Sequence, residues 1–395
     1  MTVTDVYYDP WDQQIDADPY PTFRRLRDEA PVYYNSKHDF WALSRHADVV
    51  SALRDTRRLS SAKGDILEVI KADVDMPPAV FINEDPPLHT IHRALVARAF
   101  TAGKMRRIEQ QVRRFTVACL DPQRDKDRFD FVAELGAVLP MRVICMLVGI
   151  PDADQPTVRD YATGNLRSDP GEQMHVEKEY FDPSFFADYI DWREKHPADD
   201  LITELLNIEF KDESGAVRKL TKLEINTFIT VVAGAGVDTT GRMFGWMAKV
   251  LAEHPDQRAE LVADPALIPG AIEELLRFES SAPNAARYVT EDVEFHGTIV
   301  PAGSVLTCIL SAANRDERQF PDPDSFDIHR RLAQSVVFGH GVHLCLGAPL
   351  ARLELRVALE EMLARFPRWE VDMTGAKRSH SSTVRGWDAM PVVVR

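Results

Sequence analysis

Hydrophobic and polar positions change period several times along this chain. Residues 18–30 (DPYPTFRRLRDEA) start with a turn and then take helical spacing. The runs VYYN (32–35) and FWALS (40–44) flank the polar turn SKHD and predict two strands. HADVVSALRD (46–55) returns to a helical period. Residues 56–86 show no period and carry Gly64, Pro77, Pro78, Pro86 and Pro87, so an irregular segment is expected there. Long loops of that kind are often functional. From about residue 88 to residue 278 the pattern predicts helix after helix, as in LHTIHRALVARAF, AGKMRRIEQQVRRFTVACL and LPMRVICMLVGI. Pro151 and SDPGEQ (168–173) punctuate that stretch. Residues 286–310 turn β-branched and are broken by Gly and Pro, which predicts a small sheet. Residues 350–366 are helical again, and 369–372 and 391–395 read as short strands. The fold class that follows is mainly α with a smaller β portion. No repeat, low-complexity tract or linker divides the chain, so residues 1–395 are expected to form one domain.

Composition narrows the function classes. The 395 residues are 45% hydrophobic and 28% charged, which excludes a disordered or collagen-like chain. Lys and Arg number 47 against 62 Asp and Glu, a net charge of −15, which argues against general nucleic-acid binding. The four cysteines, Cys119, Cys145, Cys308 and Cys345, contain no C-x-x-C pair, so zinc-ribbon and iron–sulfur spacings are excluded. The acidic, polar start has no signal-peptide pattern, and no apolar run is long enough to span a membrane. A soluble, cytoplasmic chain without nucleic-acid or membrane partners is expected, and a monomer.

Two segments carry candidate chemistry. The first begins with Thr221-Lys222-Leu223-Glu224, a capping box, followed by Ile225, Phe228, Ile229, Val231 and Val232. Helical character runs to about His254, which is about 33 residues, or roughly 50 Å. Its centre is Ala233-Gly234-Ala235-Gly236-Val237-Asp238-Thr239-Thr240. A mid-helix Gly costs about 1 kcal/mol relative to Ala, so this centre is weak. One explanation is a kink or a close helix crossing. The other is that something flat lies against the glycine face, with Asp238 and Thr239 placed at a loosened turn to handle protons or water.

The second segment is Phe338-Gly339-His340-Gly341-Val342-His343-Leu344-Cys345-Leu346-Gly347, with a helix starting just after it. Free amides and the positive helix end favour a thiolate at Cys345. Gly341 and Gly347 permit close backbone approach or positive φ on either side of the sulfur. A lone Cys is commonly a small buried hydrophobe. A thiol nucleophile would want a base, which His343 could supply. Neither explains Phe338, Gly341 and Gly347 together, whereas a single soft ligand to a haem iron does.

With these residues in place, the sequence resembles the cytochrome P450 superfamily, the haem-thiolate monooxygenases, in its soluble bacterial branch. The family's F-x-x-G-x-x-x-C-x-G pattern is met by Phe338, Gly341, Cys345 and Gly347. Its A-G-x-D-T motif is met by Ala235, Gly236, Asp238 and Thr239, and its E-x-x-R pair by Glu274 and Arg277, with Arg330 matching the third member of that network. The resemblance covers nearly the whole chain in order. It implies heme b (iron protoporphyrin IX) between the long central helix and the cysteine-loop helix, with Cys345 as the iron ligand. It further implies that His89, Arg93, Arg287 and His343 hold the propionates. Taken alone, Glu274 and Arg277 would be a surface i,i+3 pair, and His89 and Arg93 a solvated helix face; the resemblance implies instead a buried ion network and a cofactor contact.

The implied reaction inserts one atom of O₂ into a hydrophobic small molecule and reduces the other to water, with Asp238 and Thr239 relaying protons. A terpenoid, steroid, fatty or aromatic substrate fits the pocket the pattern points to: Val80, Phe81, Ile82, Val231, Val232, Ala235, Pro283, Asn284, Ala285 and Val384. Electrons are expected from a separate ferredoxin and its reductase, since no nucleotide-binding region or fused redox module is present. Lys104, Arg106, Arg107, Arg113 and Arg114 are candidate docking cations, or else an ordinary solvated helix face. A haem sensor and a Cys345–His343 hydrolase are the competing classes; a proton relay has no use in a sensor, and a hydrolase is colourless.

Overall fold

The structure, a computed structural model, describes residues 5–164, 168–169, 171–176, 184–332, 334–379 and 383–395. Its axis is one helix, Lys222–Glu253, 32 residues long. The capping box forms: Thr221 Oγ1 accepts the Glu224 amide at 3.2 Å, and Glu224 Oε2 accepts the Thr221 amide at 2.7 Å. Arg218 grips the same carboxylate with two bonds of 2.8 and 2.9 Å, tying the cap to the preceding hairpin. Beyond the first turn the helix is apolar on nearly every side, the pattern of a helix that runs through a core. Phe228, Ile229 and Phe244 are fully buried, each contributing about 1.5–3 kcal/mol.

The expected loosening at the centre of this helix does not occur. Residues 233–240 stay helical, and the Thr239 hydroxyl donates to the Ala235 carbonyl at 2.8 Å, back onto its own helix. The glycines are instead used for close approach. A Cβ at Gly241 would stand 2.8 Å from the Gly136 carbonyl oxygen, and one at Gly236 would stand 2.6 Å from Ile144 Cδ1. Backbone meets backbone where the helix crosses residues 132–136, so the close-crossing explanation applies at Gly241, two residues beyond the motif.

Helices Leu139–Val148, Gln155–Gly164, Ala187–Lys195, Leu201–Asn207 and Ile268–Phe278 pack around this axis. The helix after the cysteine loop, Ala348–Arg365, lies chiefly against Ala102–Leu120 and Ile268–Phe278. To one side stands a five-stranded sheet in the spatial order Val32–Asn35, Phe40–Leu43, Val305–Ile309, Asn284–Val289, Leu59–Ser60. Phe40–Leu43 and Val305–Ile309 run parallel, with Leu43 opposite Cys308; the other pairs are antiparallel. No helix among the described residues is long and apolar enough to cross a membrane.

Several elements depart from the sequence expectation. The segment 56–86 holds strand Leu59–Ser60 and helix Leu67–Ala72. The helical stretch is interrupted by strand Arg128–Asp130 and by the hairpin Glu209–Lys211 and Val217–Lys219. Arg128–Asp130 exists because it pairs with Pro391–Val394, a partner more than 250 residues away that no local period reveals. The hairpin turn does carry local signals: Asp212 Oδ1 accepts the Ser214 and Ala216 amides, both at 3.0 Å, and Gly215 sits at φ +84°. The break at 168–173 includes residue 170, which lies outside the described residues.

Glu274, Arg277 and Arg330 form a buried network rather than a surface pair. The Glu274 carboxylate accepts from Arg277 twice at 2.7 Å, from Arg330 Nε at 3.0 Å and from the Asp327 amide at 3.1 Å. Arg277 also donates to the carbonyls of Asn314, Pro323 and Ser325. The network clamps the strandless segment that leads into the cysteine loop.

Candidate functional site

A cleft of about 1520 Å³ separates the central helix from the cysteine loop. Cys345 lies at its floor. The loop holds its shape through the bond from the Cys345 amide to the Phe338 carbonyl, 2.8 Å, and through Gly341 at φ +74°. A Cβ on Gly341 would meet the Leu53 carbonyl oxygen at 2.6 Å, so only glycine fits there. Gly347 needs no such freedom: its φ is −79° and it caps the following helix. The Cys345 thiol opens into the cleft. Burial among protein atoms pushes it up, opposed by the amides of Gly347 and Ala348 and the charges of Arg93 and Arg352. The thiolate expected from the helix end is therefore not favoured by the chain alone, because desolvation outweighs the dipoles. The other three cysteines are buried, and burial pushes Cys119 up to about 11 and Cys145 and Cys308 up to about 12. Among the described residues no three His, Cys, Asp or Glu side chains cluster as a metal site.

One edge of the cleft gathers nitrogen. The rings of His89 and His343 lie 4.0 Å apart. Neither ring nitrogen of His89 has a hydrogen-bond partner, nor does Nε2 of His343, although these atoms are buried. Arg93 and Arg287 stand beside them; Arg93 donates to the Leu344 carbonyl, and Arg287 to the Ala286 carbonyl at 2.7 Å. Desolvation and the Arg93 charge push His89 down to about 4, and desolvation and Arg287 push His343 down to about 3. Buried polar atoms without partners are rare in folded proteins, and three such ring nitrogens beside two guanidiniums at one edge of a cleft mark a place for an anion.

The opposite wall is apolar. Phe81, Ile82, Val231, Val232, Ala235 and Gly236 line it, with Thr239, Thr240, Ser281 and Asn284 as polar points. Val80, Pro283 and Val384, expected here, are buried and do not line the cleft. Asp238 also departs from expectation. Successive helix positions are turned by about 100°, so Thr239 faces this cleft while Asp238 faces a second one, of about 1030 Å³, on the far side of the helix. There it pairs with Arg242 at 2.9 Å, and Arg242 also binds the Asp388 carboxylate and the Trp387 carbonyl.

The family model for cytochrome P450 matches residues 260–386. The putative cytochrome P450 123 of Mycobacterium tuberculosis (strain ATCC 25618 / H37Rv) is 38% identical over 395 residues, covering 98% of this chain and 96% of the relative. This chain belongs to the cytochrome P450 family. As a cytochrome P450 it is a monooxygenase, and the family binds heme b. The vitamin D(3) 25-hydroxylase of Pseudonocardia autotrophica is 34% identical, over 95% of this chain and 94% of that one. Among solved structures, a P450 EryK mutant in complex with erythromycin B superposes with TM-score 0.86 at 30% identity, covering 97% of both chains. CYP109E1 from Bacillus megaterium in complex with testosterone superposes with TM-score 0.87 at 29% identity, covering 97% of this chain and all of that one.

The residues present fit the P450 cofactor. Heme b is a flat ring with one metal and two carboxylates at an edge; the cleft offers one thiol at its floor and two imidazoles with partnerless nitrogens beside two guanidiniums at its edge. The cations expected to meet a redox partner are less uniform. Lys104 is buried and bound to Asp199 at 3.0 Å, and Arg113 is held by Glu360 and by Glu361 at 2.6 Å. Arg106, Arg107 and Arg114 remain exposed. Arg106 joins Arg352 and Arg356 around a cleft of about 760 Å³ on the outer side of the cysteine helix. Sequence reasoning missed both this cleft and Asp65, a carboxyl lining the main cleft that burial pushes up against the pull of Arg287.

Proposed function

We propose that Cys345 is the haem iron ligand, that His89, Arg93, Arg287 and His343 hold the propionates, and that the enzyme hydroxylates an apolar compound the size of a steroid or macrolide. The observation that carries this reading is the pairing of one thiol on the cleft floor with partnerless buried nitrogens on its edge. The family's cofactor, when bound, supplies O₂ activation and insertion of one oxygen atom into the substrate. The chain's own residues do the rest. Phe81, Ile82, Val231 and Val232 exclude water and orient an apolar ligand. Asn284 and Ser281 are points for one or two substrate hydroxyl groups. Thr239 holds a hydroxyl that both donates and accepts at the cleft wall. Asp238, on the other face of the same turn, is held by Arg242 and supplies protons to the site. The relatives that bear on substrate size are a vitamin D(3) hydroxylase and structures solved with erythromycin B and testosterone.

Electrons come from a separate acidic ferredoxin that docks on the exposed cations Arg106, Arg107 and Arg114. Turnover with a nicotinamide cofactor then needs ferredoxin and reductase, and weakens as salt rises through the screening range. The decisive experiment for the proton assignment is Thr239→Ala, followed by cofactor oxidation, hydrogen peroxide and product in parallel. Product falls and peroxide rises at unchanged haem content. Wild-type coupling in that variant overturns the assignment and leaves the hydroxyl as a structural bond to Ala235. Asp238→Asn slows all turnover, by about 10²–10⁴ for a lost acid–base group.

A further inference from the structure

The floor of the haem cleft is thin. Phe338 lines the cleft, and on the outer side of its ring stands Arg352, with the guanidinium carbon 4.6 Å from the ring centroid. Arg352 lines the outer cleft, so one aromatic ring separates the two. The guanidinium is held by Glu273 in a bidentate pair, Nε to Oε1 at 2.5 Å and Nη2 to Oε2 at 3.0 Å. Both side chains are partly exposed, 42% and 35%. Arg93 and Arg352 are the charged groups that oppose desolvation of the Cys345 thiol. Arg93 sits at the edge of the cleft, where the carboxylates of a bound haem would neutralise it. Among the described residues the charge of Arg352 is paired with Glu273, on a surface open to solvent and to a docking protein.

We propose that the Arg352–Glu273 pair trims the electrostatic potential at the Cys345 sulfur through the Phe338 ring, and so sets the ease of reduction of the haem held there. This rests on the reading of Cys345 as ligand. A cation over an aromatic face polarises the ring toward itself. The potential of a thiolate-held iron follows the charge and hydrogen bonds around the sulfur. Reduction adds one electron, so a nearby positive charge favours it and a nearby negative charge opposes it. With both partners present the net local charge is zero. Removing Glu273 alone leaves +1, and removing Arg352 alone leaves −1. Partial exposure weakens each effect through screening but leaves its sign.

The test is the midpoint potential of the haem-loaded protein by spectroelectrochemistry, with the C–O stretch of the reduced CO complex as a second readout. Glu273→Gln shifts both upward, Arg352→Gln shifts both downward, and the double variant returns close to wild type. Arg352→Lys, which keeps the charge, leaves the potential near wild type. High salt shrinks the two single shifts. A merely structural pair predicts instead that both single variants move the same way and that the double variant is no better. That pattern, or unchanged potentials in both single variants, overturns the proposal. Should Arg352→Gln fail to retain haem, Glu273→Gln against Arg352→Lys decides by the same signs. The ligand reading fails separately: a thiolate-type CO spectrum surviving in Cys345→Ala refutes it whatever the potentials do.

Discussion

Two clusters of nitrogen-bearing side chains lie close to the cysteine loop, and they differ in what satisfies them. Around Glu274, which is fully buried, every strong donor finds an internal acceptor: Arg277 and Arg330 share one carboxylate and spend their remaining N–H groups on backbone carbonyls. Around His89, Arg93, Arg287 and His343 the reverse holds. No carboxylate among the described residues forms a close ion pair with either arginine, Asp65 feeling Arg287 only through its charge, and three ring nitrogens are left without partners. A satisfied cluster is a folding device. An unsatisfied one is a binding site whose missing partner is an anion. The same residue types, separated by their acceptors alone, do two different jobs.

The largest expected effect breaks the satisfied cluster. Glu274→Ala strands Arg277 as a buried charge and costs about 3–5 kcal/mol, a large part of the roughly 5–15 kcal/mol that holds a domain together. Urea unfolding of the haem-free protein should show this loss. The unsatisfied cluster should respond more weakly: Arg287→Ala removes a cation that has no ion-pair partner but pulls on the buried Asp65 carboxyl, so the haem-free protein loses far less stability than Glu274→Ala does. Haem affinity instead falls by roughly 10–100-fold, the worth of a charge-assisted bond of about 1.5–3 kcal/mol. A haem titration beside the unfolding curve separates the two. Loss of haem-free stability in Arg287→Ala comparable to that in Glu274→Ala would erase the distinction.

A smaller effect sharpens the contrast through pH. His89 has a folded value of about 4 against an ordinary 6.5, so between those values the unfolded chain binds the extra proton. Stability of the haem-free protein therefore falls as pH drops from about 6.5 toward 4, with a limiting slope of about 1.4 kcal/mol per pH unit for that proton. His89→Gln removes that part of the slope. Haem should flatten it too, because a propionate beside the ring favours the charged imidazole. An identical slope in wild type and His89→Gln would show that the ring is not held neutral by the fold.

The satisfied cluster was half legible in the sequence and the unsatisfied one almost wholly so, though only through family resemblance. Spacing alone puts Glu274 and Arg277 on one helix face; it says nothing of the carbonyls of Asn314, Pro323 and Ser325 that bury them. Local signals did well where local physics decides, as at the Thr221–Glu224 cap and the strands at 32–35 and 40–43. They failed where distant chain decides. Lys104 and Arg113 read as free cations because Asp199, Glu360 and Glu361 lie far along the chain. Asp238 was placed beside Thr239 by adjacency, yet one helical step turns it into another cleft. Glu354, almost fully buried in the cysteine helix with one oxygen unpartnered and its carboxyl pushed well up by desolvation, carries no sequence signal that sets it apart from its exposed neighbours.

The central claim is that the thiol on the floor of the cleft holds the metal. The direct measurement is the absorption spectrum of the reduced, CO-treated protein for the four single cysteine-to-alanine variants. Cys119→Ala, Cys145→Ala and Cys308→Ala should each keep the red-shifted Soret band that a thiolate ligand produces, since those thiols are buried away from the cleft. Cys345→Ala should lose it. A red-shifted band surviving in Cys345→Ala, or vanishing in one of the other three at full haem content, would contradict the account.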